Sequence, residues 1–235
     1  MTESFLGFST ASLEFLRQLK LNNNREWFLE HKKDYIDHVL NPTQLFVASL
    51  GEKLKKLSPG IQYDLRTNGI GSILRINRDI RFSKDKSPYH SYMRIVFWEG
   101  KLKKMENSGV YIGIDHEGAQ IYVGQHGFDS SHLKTYRSAV VDEILGSDLE
   151  KKIRQIKNNG DYEIGGAYYK RVPSGFEKNH PRAAYLKFKS LYTKSKKIDS
   201  EIVQSPAFIE TCMAEITNMF PLHSWLVTTW QLFEM

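Results

Sequence analysis

The order of apolar and polar positions divides the chain into a helical beginning, a middle of alternating character and a helical end. Leu13, Leu16 and Leu19 recur at helical spacing behind Ser9 and Thr10, either of which can cap a first helix. Asn22, Asn23 and Asn24 break it, and Asn23 with Glu26 reads as a capping box for a second helix carrying Trp27, Phe28, Tyr35 and Val39. Asn41-Pro42 fits a cap and first-turn proline, predicting a third helix through Leu45, Phe46, Leu50, Leu54 and Leu57. From Ile61 the period changes to alternation. Residues 73–82 and 92–98 read as strands, and 110–114 and 120–123 as a pair joined by a turn at 115–118. Helices resume with Asp129 or Ser130 as a cap, and Ser147 with Glu150 predicts the start of the next. Residues 160–180 are rich in Gly, Pro and Tyr and read as irregular chain with room for a short strand. Ser205-Pro206 opens a helix through Phe208, Cys212, Ile216 and Met219, which Pro221 ends or kinks. Helices, then strands, then helices, with no repeat or linker, predict an α+β single domain. Its central sheet is expected to be largely antiparallel and packed by N-terminal and C-terminal helices.

Composition narrows the class without naming a function. A chain of 235 residues, 40% hydrophobic and 12% aromatic, can bury a core without covalent staples. Its one cysteine, Cys212, excludes an internal disulfide and falls in an apolar helical pattern, as a buried inert thiol does. No apolar run approaches the roughly 18 residues of a membrane span, and the first residues lack the basic and apolar regions of a secretory signal. A cytoplasmic protein with no membrane association is the expectation. The net charge of +6 favours anionic partners in a non-specific way.

Half of that excess lies in residues 75–89. Arg75, Arg78, Arg81, Lys84 and Lys86 stand there against Asp79 and Asp85, a local charge of +3. On a strand, Arg75, Asn77, Asp79 and Arg81 would share one face and Leu74, Ile76, Arg78, Ile80 and Phe82 the other. Arg78 is then a guanidinium among apolar neighbours and needs a carboxylate, carbonyls or a ligand. Arginine forks, lysine charges, hydroxyls and loop N–H groups are the ingredients of a phosphate or carboxylate site. The expected anion site is Arg75, Asp79, Arg81, Ser83 and Lys86, with Arg171 added from the Lys170-Arg171 pair before Pro173 and Gly175. Arg78, Phe82, Asp85, Pro88 and Tyr89 are expected to support it. The competing reading, compatible with the first, is an ion-pair network that pins the loop to the sheet.

The segment also resembles the signature of an uncharacterised family, domain of unknown function 2461, which reads R-I-x-R-D-x-R-F-S-x-D-K-x-P-Y. Every fixed position is met from Arg75 to Tyr89. The resemblance extends to Phe15-Leu16, to Asn22 through Phe28, to Lys170 through Phe176 with His180-Pro181, and to Tyr185-Leu186-Lys187. It implies one intact domain and no particular activity, cofactor or catalytic residue.

Other patterns weigh less. The eight histidines lack the spacing of a metal site, so no metal is expected, and no cofactor is implied. Gly69 and Gly71 precede a predicted strand, the wrong setting for a dinucleotide loop. Ser83 and Lys86 have the spacing of a nucleophile and base, but that chemistry needs a helical turn where a strand exit is predicted. Residues 185–197 interleave Tyr185, Phe188 and Tyr192 with five lysines. A nucleic-acid groove uses that mixture, and so does a half-buried strand with a lysine-bearing outer face, the reading preferred here. Two functions are therefore carried forward: a small-anion site, and a nucleic-acid surface as the alternative. The sequence leaves the oligomeric state open.

Overall fold

Ser9 starts the first helix, α1 (Thr10–Leu21), by a reciprocal cap in which Ser9 and Ser12 each accept the other's backbone N–H at 3.2 Å. The structure, a computed structural model, describes residues 5–233. Helix α2 (Arg25–Glu30) is capped by Asn24, whose Oδ1 accepts from Trp27 N at 2.9 Å. Asn23, which the sequence pattern assigns to that cap, is used elsewhere. A short helix, α3 (Lys32–Asp34), leads into a π-helical turn, Tyr35–Leu40, that runs directly into α4 (Asn41–Leu57). Leu40 and Asn41 both have helical backbone angles, so Asn41 caps nothing. Pro42 follows the π-helical turn inside this continuous helical path and supplies no backbone N–H there.

The strands are β1 (Ile61–Gln62), β2 (Met93–Glu99), β3 (Ser108–Asp115), β4 (Gly118–Gln125), β5 (Glu163–Ala167), β6 (Phe188–Lys194) and β7 (Ile198–Asp199). Among the described residues they join in the order β1-β2-β3-β4-β6-β5, with β7 also on β4. The pairings are antiparallel, as in Val123 opposite Thr193 and Gly165 opposite Tyr192. The α+β expectation holds. The β3–β4 turn is built as its sequence predicts, with Asp115 Oδ1 accepting from the N–H groups of Glu117 and Gly118. The remaining helices are α5 (Ser130–Val141), α6 (Glu143–Asn159), α7 (Ser200–Val203) and α8 (Phe208–Phe233).

Two expected boundaries move. Asp142 caps α6 by accepting from Ile144 N and Leu145 N, so Ser147 lies inside the helix. Pro221 does not end α8, which runs to Phe233. Among the described residues, no helix is long and apolar enough to cross a membrane.

The third correction concerns the central segment. Residues 73–82 form no strand; only two isolated bridges hold them, Ile73 to Ile95 and Asn77 to Tyr89. Four residues separate the bridges on one arm and six on the other, so the ladder cannot stay in register. Burial still alternates along the ribbon, with residues 74, 76, 78 and 80 half-buried and 75, 77, 79 and 81 exposed. The period of two was read correctly; continuous pairing was not.

The chain forms two compact units. One comprises residues up to Phe97 with Tyr111–Ile121 and Lys197–Ala214; the other comprises Trp98–Val110, Tyr122–Lys196 and residues from Glu215 onward. Each unit is assembled from three separate stretches, which is why no linker is visible in the sequence. The first has an aromatic core: Phe46 stacks on Phe208 at 5.1 Å and meets Phe5 at 5.2 Å and Phe8 at 5.7 Å. In the second, Tyr136 is fully buried with its hydroxyl on Tyr185 O, edge-on to Trp225, whose Nε1 donates to Leu145 O. Cys212 is buried.

Candidate functional site

Asn23 anchors the far end of the central segment. Its amide accepts from Tyr89 N at 3.0 Å and donates to Tyr89 O at 2.9 Å, while the Tyr89 ring stacks on Phe28 at 4.1 Å. From there the two arms run side by side, with Arg78 N donating to Pro88 O, His90 N to Ile76 O and Leu74 N to Arg94 O. Everything between Arg78 and Pro88 is a projecting tip.

The tip satisfies most of its own charge. Arg81 grips Asp79 through Nε at 3.0 Å and Nη2 at 2.7 Å, and its backbone N–H also donates to Asp79. Those bonds hold the Asp79 carboxyl below the usual carboxylate range and raise Arg81. Asp85 accepts from the Ser87 hydroxyl and N–H and pairs with Arg78 Nη1; Ser87 first and Arg78 after it keep Asp85 far below the usual range. Lys86 donates to Ile80 O at 3.0 Å, and Ser83 N–H reaches the same carbonyl. Phe82, expected on the apolar face, is 95% exposed beside the Arg81 guanidinium. These Asx-type contacts bend the chain away from ladder geometry, a second reason why no strand forms.

Within the first unit, the expected site residues make separate local contacts. Asp79 and Arg81 occupy each other, as do Arg78 and Asp85. Arg75 turns back to clasp Asn68 O with Nε at 3.1 Å and Nη2 at 2.9 Å. Its stem fills the space over Gly69, which sits at φ +88°, so a side chain at that position would meet Arg75. Arg171 is exposed in the loop after β5, in the second unit. Within the first unit, Asp79 pairs with Arg81 and Asp85 with Arg78, while Arg75 and Lys86 donate to the backbone carbonyls of Asn68 and Ile80.

A different group stands at the base of the ribbon, where Arg94 Nη2 donates to Arg75 O. Arg94 Nε is buried and meets no hydrogen-bond partner among the described residues. Arg94 also lines a small, mainly apolar depression with Leu74, Ile76, Tyr92 and Met93. Beside it, the His90 imidazole is pushed down to about 4 by burial, then by the charges of Arg94 and Arg78. Burial is the larger cause, and the two guanidinium charges add to it. The carbonyl partners of Arg75 and Arg94 are neutral, so their charge is not cancelled by an acid within these contacts.

Arg94 and His90 were missed by the sequence reading. The signal was there: Arg94 is the one cation between Met93 and Trp98, the same lone-arginine argument applied to Arg78.

His90 gives a first prediction. Its folded value lies below the ordinary 6.5, so between pH 6.5 and about 4 the unfolded chain binds the extra proton. Stability contributed by neutral His90 is full above 6.5 and is lost as pH falls towards 4. Urea melts across that range should show a shallower pH slope in His90→Gln than in the parent protein; equal slopes would show that His90 titrates normally.

The basic run at 185–197 is the half-buried strand β6 and its exit. Lys194 lies 3.6 Å from Glu163, Lys196 3.1 Å from Asp161, and Lys197 bridges Asp115 at 3.0 Å and Glu117 at 2.8 Å. Lys189 lies over the Tyr168 ring. Three of the lysines a nucleic acid would need are thus already partnered. Among the described residues, no three His, Cys, Asp or Glu side chains group as a metal site.

No curated protein matches the chain. One family model does, over residues 11–225, and it takes in the ribbon, its tip and the anchoring asparagine. With that match across nearly its whole length, the chain belongs to the conserved hypothetical protein family known as domain of unknown function 2461.

Proposed function

We propose that the chain binds a small anionic molecule, bearing a phosphate or carboxylate group, at Arg94 with Arg75 and His90 beside it. The observation that carries this reading is the buried, partnerless Nε of Arg94. A desolvated guanidinium N–H left unpaired costs more than a hydrogen bond returns, so such groups normally mark an ion or water that belongs there. An oxyanion would complete the Arg94 fork and relieve the field that suppresses His90 protonation. The apolar wall formed by Leu74, Ile76 and Met93 would take the uncharged part of the ligand. Cys212, buried and single, suits a reducing compartment and hence a cytoplasmic protein. The nucleic-acid reading has lost its main support, because Lys194, Lys196 and Lys197 hold acidic partners.

The test is thermal unfolding with inorganic pyrophosphate, against sodium chloride of matched ionic strength. At about a hundredfold excess over Kd, a ligand specific for the native state contributes about 2.7 kcal/mol, a rise of several degrees in Tm. Arg94→Gln should remove that rise. A rise that survives in Arg94→Gln would move the site elsewhere, and no rise with any phosphate or carboxylate compound would end the proposal.

A further inference from the structure

The second unit holds a serine, a histidine and a glutamate in hydrogen-bonded series. Ser108 Oγ lies 2.9 Å from His223 Nδ1, and His223 Nε2 lies 2.8 Å from Glu99 Oε2. Ser108 opens β3, Glu99 closes β2 and His223 comes from α8, so three elements converge on the imidazole. An ionised Glu99 only accepts, which places the ring proton on Nε2. Nδ1 is then a lone pair facing the Ser108 hydroxyl. That arrangement orients a base on a nucleophile and stabilises the imidazolium formed when the base takes its proton. The ring is used in the reverse sense from the most familiar triad, with serine on Nδ1, but either nitrogen can accept the proton.

Ser108 and His223 are 0% and 1% exposed. The loop 100–107 joins Glu99 to Ser108 along the chain. This loop carries the half-exposed Leu102 and Met105 and turns at Gly100, φ +140°. It is latched by Asn107 Nδ2, which donates to the carbonyls of Leu102 at 3.0 Å and Lys103 at 2.9 Å. Gln125 Nε2 adds a bond to Glu106 O at 2.9 Å. A loop with apolar side chains outward and a nucleophile–base pair at its root is arranged to open over an apolar substrate.

We propose that Ser108, His223 and Glu99 form a serine acyl-transfer centre, closed in this structure, that hydrolyses an uncharged carboxylic ester with an apolar acyl group. Ser108 Oγ adds to the ester carbonyl and its proton passes to His223 Nδ1. The C–O bond to the alcohol breaks, and the leaving oxygen takes that proton. Water then adds to the acyl-serine, gives a proton to His223, and releases the acid as Ser108 recovers its hydrogen. Ester and water become acid and alcohol, with no other reactant.

The test is labelling of the folded protein at pH 8 by an alkyl fluorophosphonate, read by mass spectrometry of the peptide containing Ser108. An adduct at Ser108 is expected, with Asn107→Gly labelling faster because its latch is gone, and His223→Gln slower by about a hundredfold or more. A purely structural trio moves none of these rates. Absence of an adduct from both the folded parent protein and folded Asn107→Gly overturns the proposal, as does labelling that is unchanged in folded His223→Gln. The parent and the loop variant retain the trio, so the result does not depend on the triad variants folding.

Discussion

Phe46→Ala should lower the unfolding free energy by about 3–5 kcal/mol, the range for removing a large buried aromatic ring. Phe46 is fully buried on α4, and its ring is held by Phe5, Phe8 and Phe208 at 5.1–5.7 Å. Phe208 belongs to α8 and the two others lie around the start of α1, so the partners come from distant stretches of chain. Truncation loses the transfer free energy of the ring and leaves a void that three rigid rings cannot close. Denaturant melts with an unchanged m-value would measure it. A loss under about 1.5 kcal/mol would show that this aromatic cluster collapses freely and does not fix the first unit.

Arg182→Ala should cost a similar amount, about 3–5 kcal/mol, by a different route. Arg182 is 8% exposed, and its guanidinium donates to Val140 O at 2.7 Å, Asp142 O at 3.1 Å and Val141 O at 3.4 Å. The Val140 and Val141 carbonyls close α5, past its last N–H groups, Asp142 O also accepts from Gly146 N at 3.0 Å, and Glu150 lies 3.8 Å away to balance the charge. Alanine removes the guanidinium donors that serve the Val140 and Val141 carbonyls. Arg182→Lys should recover only part of the loss, since one ammonium cannot span the fork. Gly146 packs against the guanidinium, where a Cβ would overlap Arg182 Nε, so Gly146→Ala should disturb the same contact. Full stability in Arg182→Lys would mean that charge alone, without the fork, closes the helix.

Both residues show how much could be read from the chain. Local signals worked where one element settles the matter: Ser9 and Asp129 as caps, Asp115 at the β3–β4 turn, and the alternation of Val110, Ile112 and Ile114. They failed where a distant partner decides. Asn23 looks like a cap and is instead bound to Tyr89, 66 positions away. Asn41-Pro42 looks like a helix start and lies within a continuous helical path. The central ribbon shows the same division at the candidate site. Its charges, its period of two and its family resemblance were legible. Which cations would spend themselves on Asp79, Asp85, Asn68 O and Ile80 O was not, because those choices follow from the tip's folding and not from spacing. On the opposite arm, among the described residues, a buried guanidinium nitrogen is left unpaired at Arg94.

The nitrogen resonance of that side chain tests the account most directly. With arginine Nε–H signals assigned by comparison with Arg94→Lys, inorganic pyrophosphate is titrated in at constant ionic strength. The account predicts that Arg94 Nε–H shifts in a saturable way and slows its exchange with water, with the His90 pKa rising from about 4 in step. An Arg94 Nε–H signal that stays put while pyrophosphate saturates the protein would contradict it, and would leave that nitrogen to a bound water alone.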